Sequence, residues 1–163
     1  MTPLAAAVST HVVELTIAQI RESGQHLFEQ HYAEVAQDKQ VPLEPDWPAY
    51  DALESAGLVL CLGAYVCGEL VGYSLNFIQP RHLHYASLCY AQNDIFFVTK
   101  SHRGKQCGAT ETIGDQLRAA TKRIAKQRGA AKVLWHAKEG SAMARWLASQ
   151  GCRVADIVFS EDL

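Results

Sequence analysis

The stretch of sequence that decides the fold lies past the middle of the chain and reads Phe96-Phe97-Val98-Thr99-Lys100-Ser101-His102-Arg103-Gly104-Lys105-Gln106-Cys107-Gly108-Ala109. It passes from a continuously apolar segment into a polar turn that contains two glycines. An apolar run without alternation is typical of a strand that is covered on both faces. We therefore predict a buried strand, a glycine-bearing turn and a long helix that starts where the turn ends.

The turn carries the residues of an anion-binding site. Backbone N–H groups in the first turn of a helix lack intrahelical partners, and the helix dipole adds partial positive charge there. Gly104 and Gly108 allow the backbone to approach a ligand closely, while Arg103 and Lys105 add formal positive charge. The sequence thus predicts that a phosphate group binds at this turn.

The segments on either side alternate between helical and strand-like patterns. The predicted helices are residues 16–35 (one or two, with a break at Gly24), 47–55, the segment between the turn at 99–108 and Gly129, and 141–149. The predicted strands are residues 58–66, 70–78, 88–98, 131–136 and 153–159, the first two joined as a hairpin through residues 67–69. This order predicts one α/β or α+β domain over residues 1–163, with a sheet covered by helices.

The composition limits the classes of partner and compartment. The chain has 163 residues, of which 48% are hydrophobic, so it can bury a core without disulfides or metals. Its formal charge of -2 gives no overall reason to expect nucleic acid or an anionic membrane as partner. Five separated cysteines without a C-x-x-C pair are typical of reduced thiols. No segment has the pattern of a signal peptide or a membrane span, and we expect a cytoplasmic protein.

The same turn resembles the coenzyme A signature of the GNAT superfamily of N-acetyltransferases, R/Q-x-x-G-x-G/A. Arg103 and Gly108 match its two ends, whereas Gln106 stands where the signature has its first glycine. The hairpin at residues 68–73 and the Gln-Gly-Cys at residues 150–152 are also similar to the family, so the resemblance covers nearly the whole chain. Residues 31–34, 42–47 and 82–85 resemble members that tailed phages and prophages often encode.

This resemblance implies a mixed, mostly antiparallel sheet in which the third strand splays from its neighbour. It also implies an acetyltransferase that moves the acetyl group of acetyl-coenzyme A to a primary amine, on a protein, a peptide or a small molecule, by direct attack and without a metal. A homodimer is compatible with it. The expected cofactor-binding residues are Phe97, Val98, Arg103, Gly104, Lys105, Gln106, Cys107, Gly108 and Ala109.

Direct attack needs a group that accepts the proton of the amine, and the sequence offers two candidates. Asp94 lies in the apolar third strand and, by the side-chain period of two, is expected to face the same side as Phe96 and Val98. An apolar setting raises a carboxyl pKa, which suits a base, but Asp94 could equally well organise a neighbouring loop. His136, at the end of the fourth strand, is the second candidate, with a structural or exposed histidine as the alternative.

The family's usual general acid is absent from this chain. Many members place a tyrosine in the last helix to protonate the departing thiolate, and the corresponding position here is Leu147. Tyr85, Tyr90 or solvent could replace it, and a coenzyme A thiolate can also leave unprotonated. Together with Gln106, this departure supports an alternative function as a GNAT-fold binding protein of the phage type that contacts a host or virion component.

Two further patterns carry less weight. His82 and His84 would lie on one face of an extended segment and could ligate a metal, but the sequence offers no third ligand, so a role in a substrate loop or in the structure is preferred. A different nucleotide-binding α/β protein is disfavoured because the chain lacks a complete G-x-G-x-x-G motif and a P-loop.

Overall fold

The computed structural model describes residues 9–36, 38–104 and 110–161, and in this part of the chain it contains five strands and five α-helices. The strands are β1 Thr10–Leu15, β2 Val59–Val66, β3 Glu69–Gln79, β4 Tyr90–Val98 and β5 Lys132–Trp135. The helices are α1 Ile17–Ser23, α2 Gln25–Val35, α3 Trp47–Ser55, α4 Ile113–Gln127 and α5 Ala142–Ser149. The predicted break at Gly24 and the predicted helix at residues 47–55 are both confirmed.

The five strands form one sheet in the order β1-β2-β3-β4-β5. The first three junctions are antiparallel, and only the last one, between β4 and β5, is parallel. That parallel junction needs a crossover, which α4 supplies. The predicted mixed, mostly antiparallel sheet with flanking helices is therefore confirmed.

Two clusters of buried side chains cover the two faces of the sheet. Along β2, Val59 and Cys61 belong to the cluster beneath α1, α2 and α3, whereas Leu60 and Leu62 belong to the cluster beneath α4. Side chains that point to opposite faces in turn explain why this strand is apolar without interruption. Both faces of the central sheet are consequently buried.

Two predicted features of the chain termini are wrong in the structure. No strand was predicted before residue 16, yet β1 pairs with β2 over its whole length. Conversely, residues 153–159 were predicted as the last strand, but residues 152–161 form neither strand nor helix, and residues 153–161 are all exposed. A strand requires a hydrogen-bonding neighbour, and no described strand pairs with this segment.

Candidate functional site

A wedge-shaped gap opens between β4 and β5. The two strands pair only from Tyr90 with Lys132 to Asn93 with Trp135. Beyond that pair β5 ends, while β4 continues to Val98. No described strand covers this side of the second half of β4, so its edge is open to a ligand. This is the splayed third strand that was predicted.

Backbone groups of β4 point into the gap at alternate residues. The Thr99 N–H donates to Val71 O at 2.9 Å, which places its backbone on the β3 side. In an antiparallel ladder the hydrogen-bonding groups of successive residues point to opposite edges, so those of Val98 and Phe96 face the gap. The backbone of Phe97, which is paired in register with Tyr73, faces β3 instead. Of the two backbone positions predicted to meet the cofactor, only Val98 therefore points into the gap.

A β-bulge at Asp94 turns its side chain away from the predicted face. Leu75 pairs with Ile95 and Asn76 pairs with Asn93, so Asp94 is an extra residue in β4. Bulges of this kind interrupt the alternation of side chains. Phe96 and Val98 contact the cluster beneath α4, as the register beyond the bulge requires.

The charge of Asp94 instead acts on Tyr50 and Tyr73, which lie beneath α1, α2 and α3. Burial is the main cause of the raised pKa of Tyr50 and of Tyr73, and the Asp94 charge adds to it in both. Both tyrosines belong to the cluster under α1, α2 and α3. The prediction that Asp94 shares a face with Phe96 and Val98 was therefore wrong, because simple alternation does not hold across a bulge.

Asn93 braces this bulge from inside the sheet. Its side chain is fully buried, and its Nδ2 donates to Asn76 Oδ1 and to Ile95 O, each at 2.9 Å. The second bond spans Asp94, since Ile95 lies directly beyond the extra residue. Asn93 Oδ1 has no hydrogen-bond partner in the described part of the protein. Asn93 was not a predicted site residue, because within the polar run Gln92-Asn93-Asp94 nothing distinguishes the buried carboxamide from its neighbours.

The structure brings the two predicted proton acceptors together. Trp135 pairs with Asn93, and the charge of the following His136 acts on Asp94, so the two side chains lie near each other at the base of the gap. The Asp94 residue remains accessible to solvent. Nevertheless, desolvation by the surrounding protein raises its pKa, and the charge of His136 lowers it in part. A carboxylate with a raised pKa is a better base than an ordinary aspartate.

The C-terminal end of α2 lies across the mouth of the gap. Glu34 accepts two hydrogen bonds of 2.7 Å from Arg103, and Arg103 Nε also donates to Val98 O at 2.8 Å. On the other side of the gap, Lys138 Nζ donates to Val35 O. Arg103 follows β4 and Lys138 follows β5, so α2 is tied to both strands. Arg103, predicted as a cofactor residue, is thus engaged by Glu34 in this structure.

His31 lies on the same helix, one turn before Glu34. Its Nδ1 lies 3.1 Å from Tyr73 OH, and its ring lies 5.0 Å from that of Phe97. Burial is the main cause of its lowered pKa, which favours the neutral imidazole. Neither His31 nor Glu34 was a predicted site residue. Each is distant in sequence from β4, and only folding brings them together.

The predicted phosphate turn is described only in part. Lys105, Gln106, Cys107, Gly108 and Ala109 lie outside the described residues. Gly104 has a φ of +89°, and no atom of the described residues lies within 4 Å of its Cβ position, so the described chain leaves the backbone accessible there. The helix after the turn begins at Ile113, later than predicted, because Thr112 and Asp115 form a capping box. The Asp115 carboxylate already satisfies donors at this helix end.

The tyrosines considered as general acids lie away from the gap. Tyr90 is the first residue of β4, about 13 Å along the strand from Asp94 at the usual rise per residue. Tyr85 is 64% exposed, and its ring contacts His82 in the loop before β4. Leu147 is buried in α5. Among the described residues, none of these side chains places a hydroxyl at the gap.

A second concavity lies at the opposite end of the sheet. This groove of about 780 Å³ is lined by residues that include Glu14, Glu54, Cys89 and Arg128. Arg128 is bound there by Glu14 and by Val59 O. The groove contains neither the bulge nor the open strand edge, so we place the candidate site at the gap.

Among the described residues, no three His, Cys, Asp or Glu side chains are grouped so that they could hold a metal ion. None of the described helices has the length and apolar character that crossing a membrane would require.

Comparisons with known proteins agree with the fold. The chain matches a ribosomal-protein-alanine N-acetyltransferase from Brucella melitensis biovar Abortus 2308 with a TM-score of 0.65 and 22% identity, over 95% of this chain and 99% of that one. It matches the aminoglycoside acetyltransferase HMB0005 from an uncultured soil metagenomic sample with a TM-score of 0.72 and 17% identity, over 95% and 99%. The chain has the GNAT fold.

Other comparisons leave the function open. A transcriptional regulator from Bacillus halodurans C-125 matches with a TM-score of 0.72 and 17% identity, over 95% of this chain and 100% of that one. No protein-family model matches the sequence. No curated protein matches it either. At these identities the likeness establishes the fold alone, because one fold can host many functions.

Proposed function

We propose that this protein is an N-acetyltransferase that transfers the acetyl group of acetyl-coenzyme A to a primary amine. The single observation that carries the proposal is the open half of β4 with Asp94 at its base. A strand edge with unpaired backbone groups can receive an extended ligand, and the adjacent carboxylate can receive a proton. Two of the acetyltransferase-fold relatives are named for different acceptors, an alanine of a ribosomal protein and an aminoglycoside.

The residues of the gap fit coenzyme A. The Val98 N–H, which points into the gap, would donate to an amide carbonyl of the pantetheine arm, whereas the Val98 C=O already accepts a hydrogen bond from Arg103 Nε. The turn from Arg103 to Ala109 would hold the pyrophosphate, with the accessible backbone at Gly104 as its described part. Bound acetyl-coenzyme A supplies an acetyl group on a thioester, which an amine nitrogen can attack.

Asp94 would accept the proton that the attacking amine loses, directly or through a water. Its raised pKa makes proton transfer more favourable, and His136 beside it stabilises the carboxylate. The bulge points the carboxylate toward the α1–α3 side of the sheet, so the amine would enter from that side. Trp47, Tyr50 and the end of α2 would form the wall of the acceptor cleft. Neither Tyr85 nor Tyr90 lies at the gap to protonate the sulfur, so the departing thiolate would take its proton from solvent.

A binding function is the second candidate, and one contact favours it. Glu34 holds the Arg103 guanidinium with two hydrogen bonds, so this cation is not free to meet a phosphate in the observed arrangement. Leu147, Gln106 and the match to a transcriptional regulator agree with a protein that retains the fold but performs no acetyl transfer. A phage-type module that contacts a host or virion component belongs to this class.

Calorimetric titration with acetyl-coenzyme A tests the proposal first. The parent should bind with a saturable signal and gain thermal stability, because a ligand that binds only the folded state stabilises it. Gly108→Trp, which fills the predicted turn, should abolish both effects. Lys122→Trp, on the exposed face of α4, is the matched control and should bind normally. A parent that does not bind at millimolar concentration would refute the acetyltransferase proposal.

Catalysis is then tested with a panel of primary amines. Asp94→Asn should lower kcat about a hundredfold, the lower range for the loss of a general base, while cofactor binding stays intact. The parent's rate should fall on the acid side through a pKa above that of an ordinary aspartate, since the base must be deprotonated. Equal activity of parent and variant would remove Asp94 from the mechanism.

A further inference from the structure

The chain separates its charges along the sequence, although its formal net charge is only -2. Residues 1–99 contain 3 Lys or Arg and 11 Asp or Glu, whereas residues 116–138 contain 7 Lys or Arg and no acidic residue. The second region comprises most of α4 and the strand β5 that follows it. The small overall charge therefore hides a local excess of positive charge around α4.

Three of these cations form one exposed surface, and we name Lys122, Arg123 and Lys126 the basic face. All three residues are exposed. Thr121 and Ala125, on the other side of the helix, are fully buried against the sheet. Lys122 and Lys126 are about 6 Å apart along the helix axis, and Arg123 lies beside them. The basic face thus presents three positive charges to solvent within little more than one helical turn.

No carboxylate of the described chain balances the basic face. Within the described residues its three side chains make no ion pair and no hydrogen bond. Asp115 is the only acidic residue of α4, and its carboxylate accepts from Thr112 and Trp146. Like charges one turn apart destabilise a helix, and the helix dipole favours a cation only in the last turn, where Lys126 lies. The other two cations gain nothing from their own helix, but an anionic partner would stabilise them.

The remaining exposed side chains of α4 indicate the kind of partner. Besides the basic face they are Ala119 and Gln127, so this surface has no large apolar side chain. Interfaces between proteins have an apolar core and are depleted in Lys. Helices that bind membranes insert an apolar face, whereas α4 buries its own against the sheet. A nucleic-acid backbone requires neither, because Lys and Arg bind it by neutralising phosphates and releasing counterions.

We propose that the basic face binds the phosphate backbone of a nucleic acid without reading its base sequence. Contacts to phosphates fix position but carry no sequence information. The basic face lies in the C-terminal half of α4, which leads to the paired start of β5 and not to the open end of the gap. Binding there is therefore independent of the proposed acetyl transfer, and it can be measured without acetyl-coenzyme A.

Fluorescence anisotropy with a labelled DNA duplex and a labelled single-stranded RNA tests the proposal. If the basic face neutralises about three phosphates, the logarithm of the affinity should fall against that of the salt concentration with a slope of about −2.7 for the duplex and about −2.1 for the single strand. Between about 50 and 200 mM salt the affinity for the duplex should then fall about 40-fold. Oligonucleotides of different base sequence should bind equally well.

Two variants of the basic face make the test specific. The triple variant Lys122→Gln, Arg123→Gln, Lys126→Gln should bind about tenfold more weakly or worse and lose the steep salt dependence. Glutamine has a high helix propensity, so α4 should remain folded. The double variant Lys122→Arg, Lys126→Arg keeps the charges and should bind like the parent, because Arg also neutralises phosphates.

The matched control removes the same number of positive charges from the acidic part of the chain. It replaces three exposed cations with glutamine and should bind nucleic acid like the parent: Arg21→Gln, Lys39→Gln, Arg81→Gln. Equal loss in this control would mean that overall charge, not the basic face, governs binding, and the proposal would be wrong.

The remaining contrary outcomes concern the partner and the place of binding. If poly-glutamate or phosphatidylserine vesicles bind the parent as tightly as nucleic acid does, the partner is an acidic protein or a membrane, and the proposal fails. Displacement of the nucleic acid by acetyl-coenzyme A would place it at the predicted phosphate turn instead. A parent that binds no nucleic acid at low salt, or a glutamine variant that binds like the parent, would overturn the proposal directly.

Discussion

Replacing Asn93 with leucine should destabilise the protein and alter Asp94 at the same time. The substitution removes the donor to Asn76 Oδ1 and to Ile95 O, both at 2.9 Å. A buried acceptor that loses its partner costs about 1–3 kcal/mol, and the loss at Ile95 lies at the lower end because that bond is only partly buried. Removing the buried, unpartnered Oδ1 of Asn93 offsets about 1 kcal/mol of this loss. The expected net loss is about 1–3 kcal/mol.

Urea unfolding measures this loss, and nuclear magnetic resonance of the Asp94 carboxyl measures its pKa. If these hydrogen bonds are lost and the bulge loosens, Asp94 becomes better hydrated, and its raised pKa should fall toward the ordinary aspartate value. Gln92→Leu is the matched control, since it removes a carboxamide from the neighbouring position of the same strand without touching these hydrogen bonds. A loss below about 0.5 kcal/mol, or an unchanged Asp94 pKa, would refute the assigned role.

Substitutions at Gly72 and at Glu34 should each lower the stability of the protein. In Gly72→Ala the new Cβ would lie 2.9 Å from Phe97 O, which forces β3 and β4 apart. Thermal unfolding should therefore show that the free energy of unfolding falls by about 1–3 kcal/mol. The control Gly114→Ala meets nothing closer than 3.6 Å and should be neutral or slightly stabilising. Glu34→Gln should cost at most about 1 kcal/mol near neutral pH, because its ion pair with Arg103 is partly exposed. The Arg103 hydrogen bond lowers the Glu34 pKa, so this cost should disappear as acid protonates the parent's carboxylate; a cost that persists in acid would contradict the assignment.

Local sequence patterns predicted most elements of the fold, since those patterns coincide with tertiary burial. The apolar run of β2 and the helical spacing in α4 each reflect a face that the structure buries. β1 was missed because His11 and Glu14 interrupt its apolar pattern and it lies at the sheet edge. Residues 153–159 were wrongly predicted as a strand, since their strand propensity is strong but no described strand pairs with them.

Features of the site could be predicted only where they follow from the order of the strands along the chain or from the family resemblance. A parallel neighbour of the third strand places His136 beside Asp94, and the resemblance to GNAT proteins gave the splayed strand. The direction of Asp94 was not predictable, because a bulge is a mismatch between two strands and one strand alone does not encode it. The contact of Glu34 with Arg103 joins residues 69 positions apart, which local patterns do not report.

The crossover between β4 and β5 also determines when the gap forms during folding. The β2–β3 hairpin closes through a short local turn, whereas β5 can join β4 only after the connection that contains α4 has crossed the sheet. Contacts between distant parts of the chain form late, because the entropy of loop closure opposes them. Intermediates that contain the antiparallel strands alone would therefore lack the gap, and its appearance would mark the last step of folding.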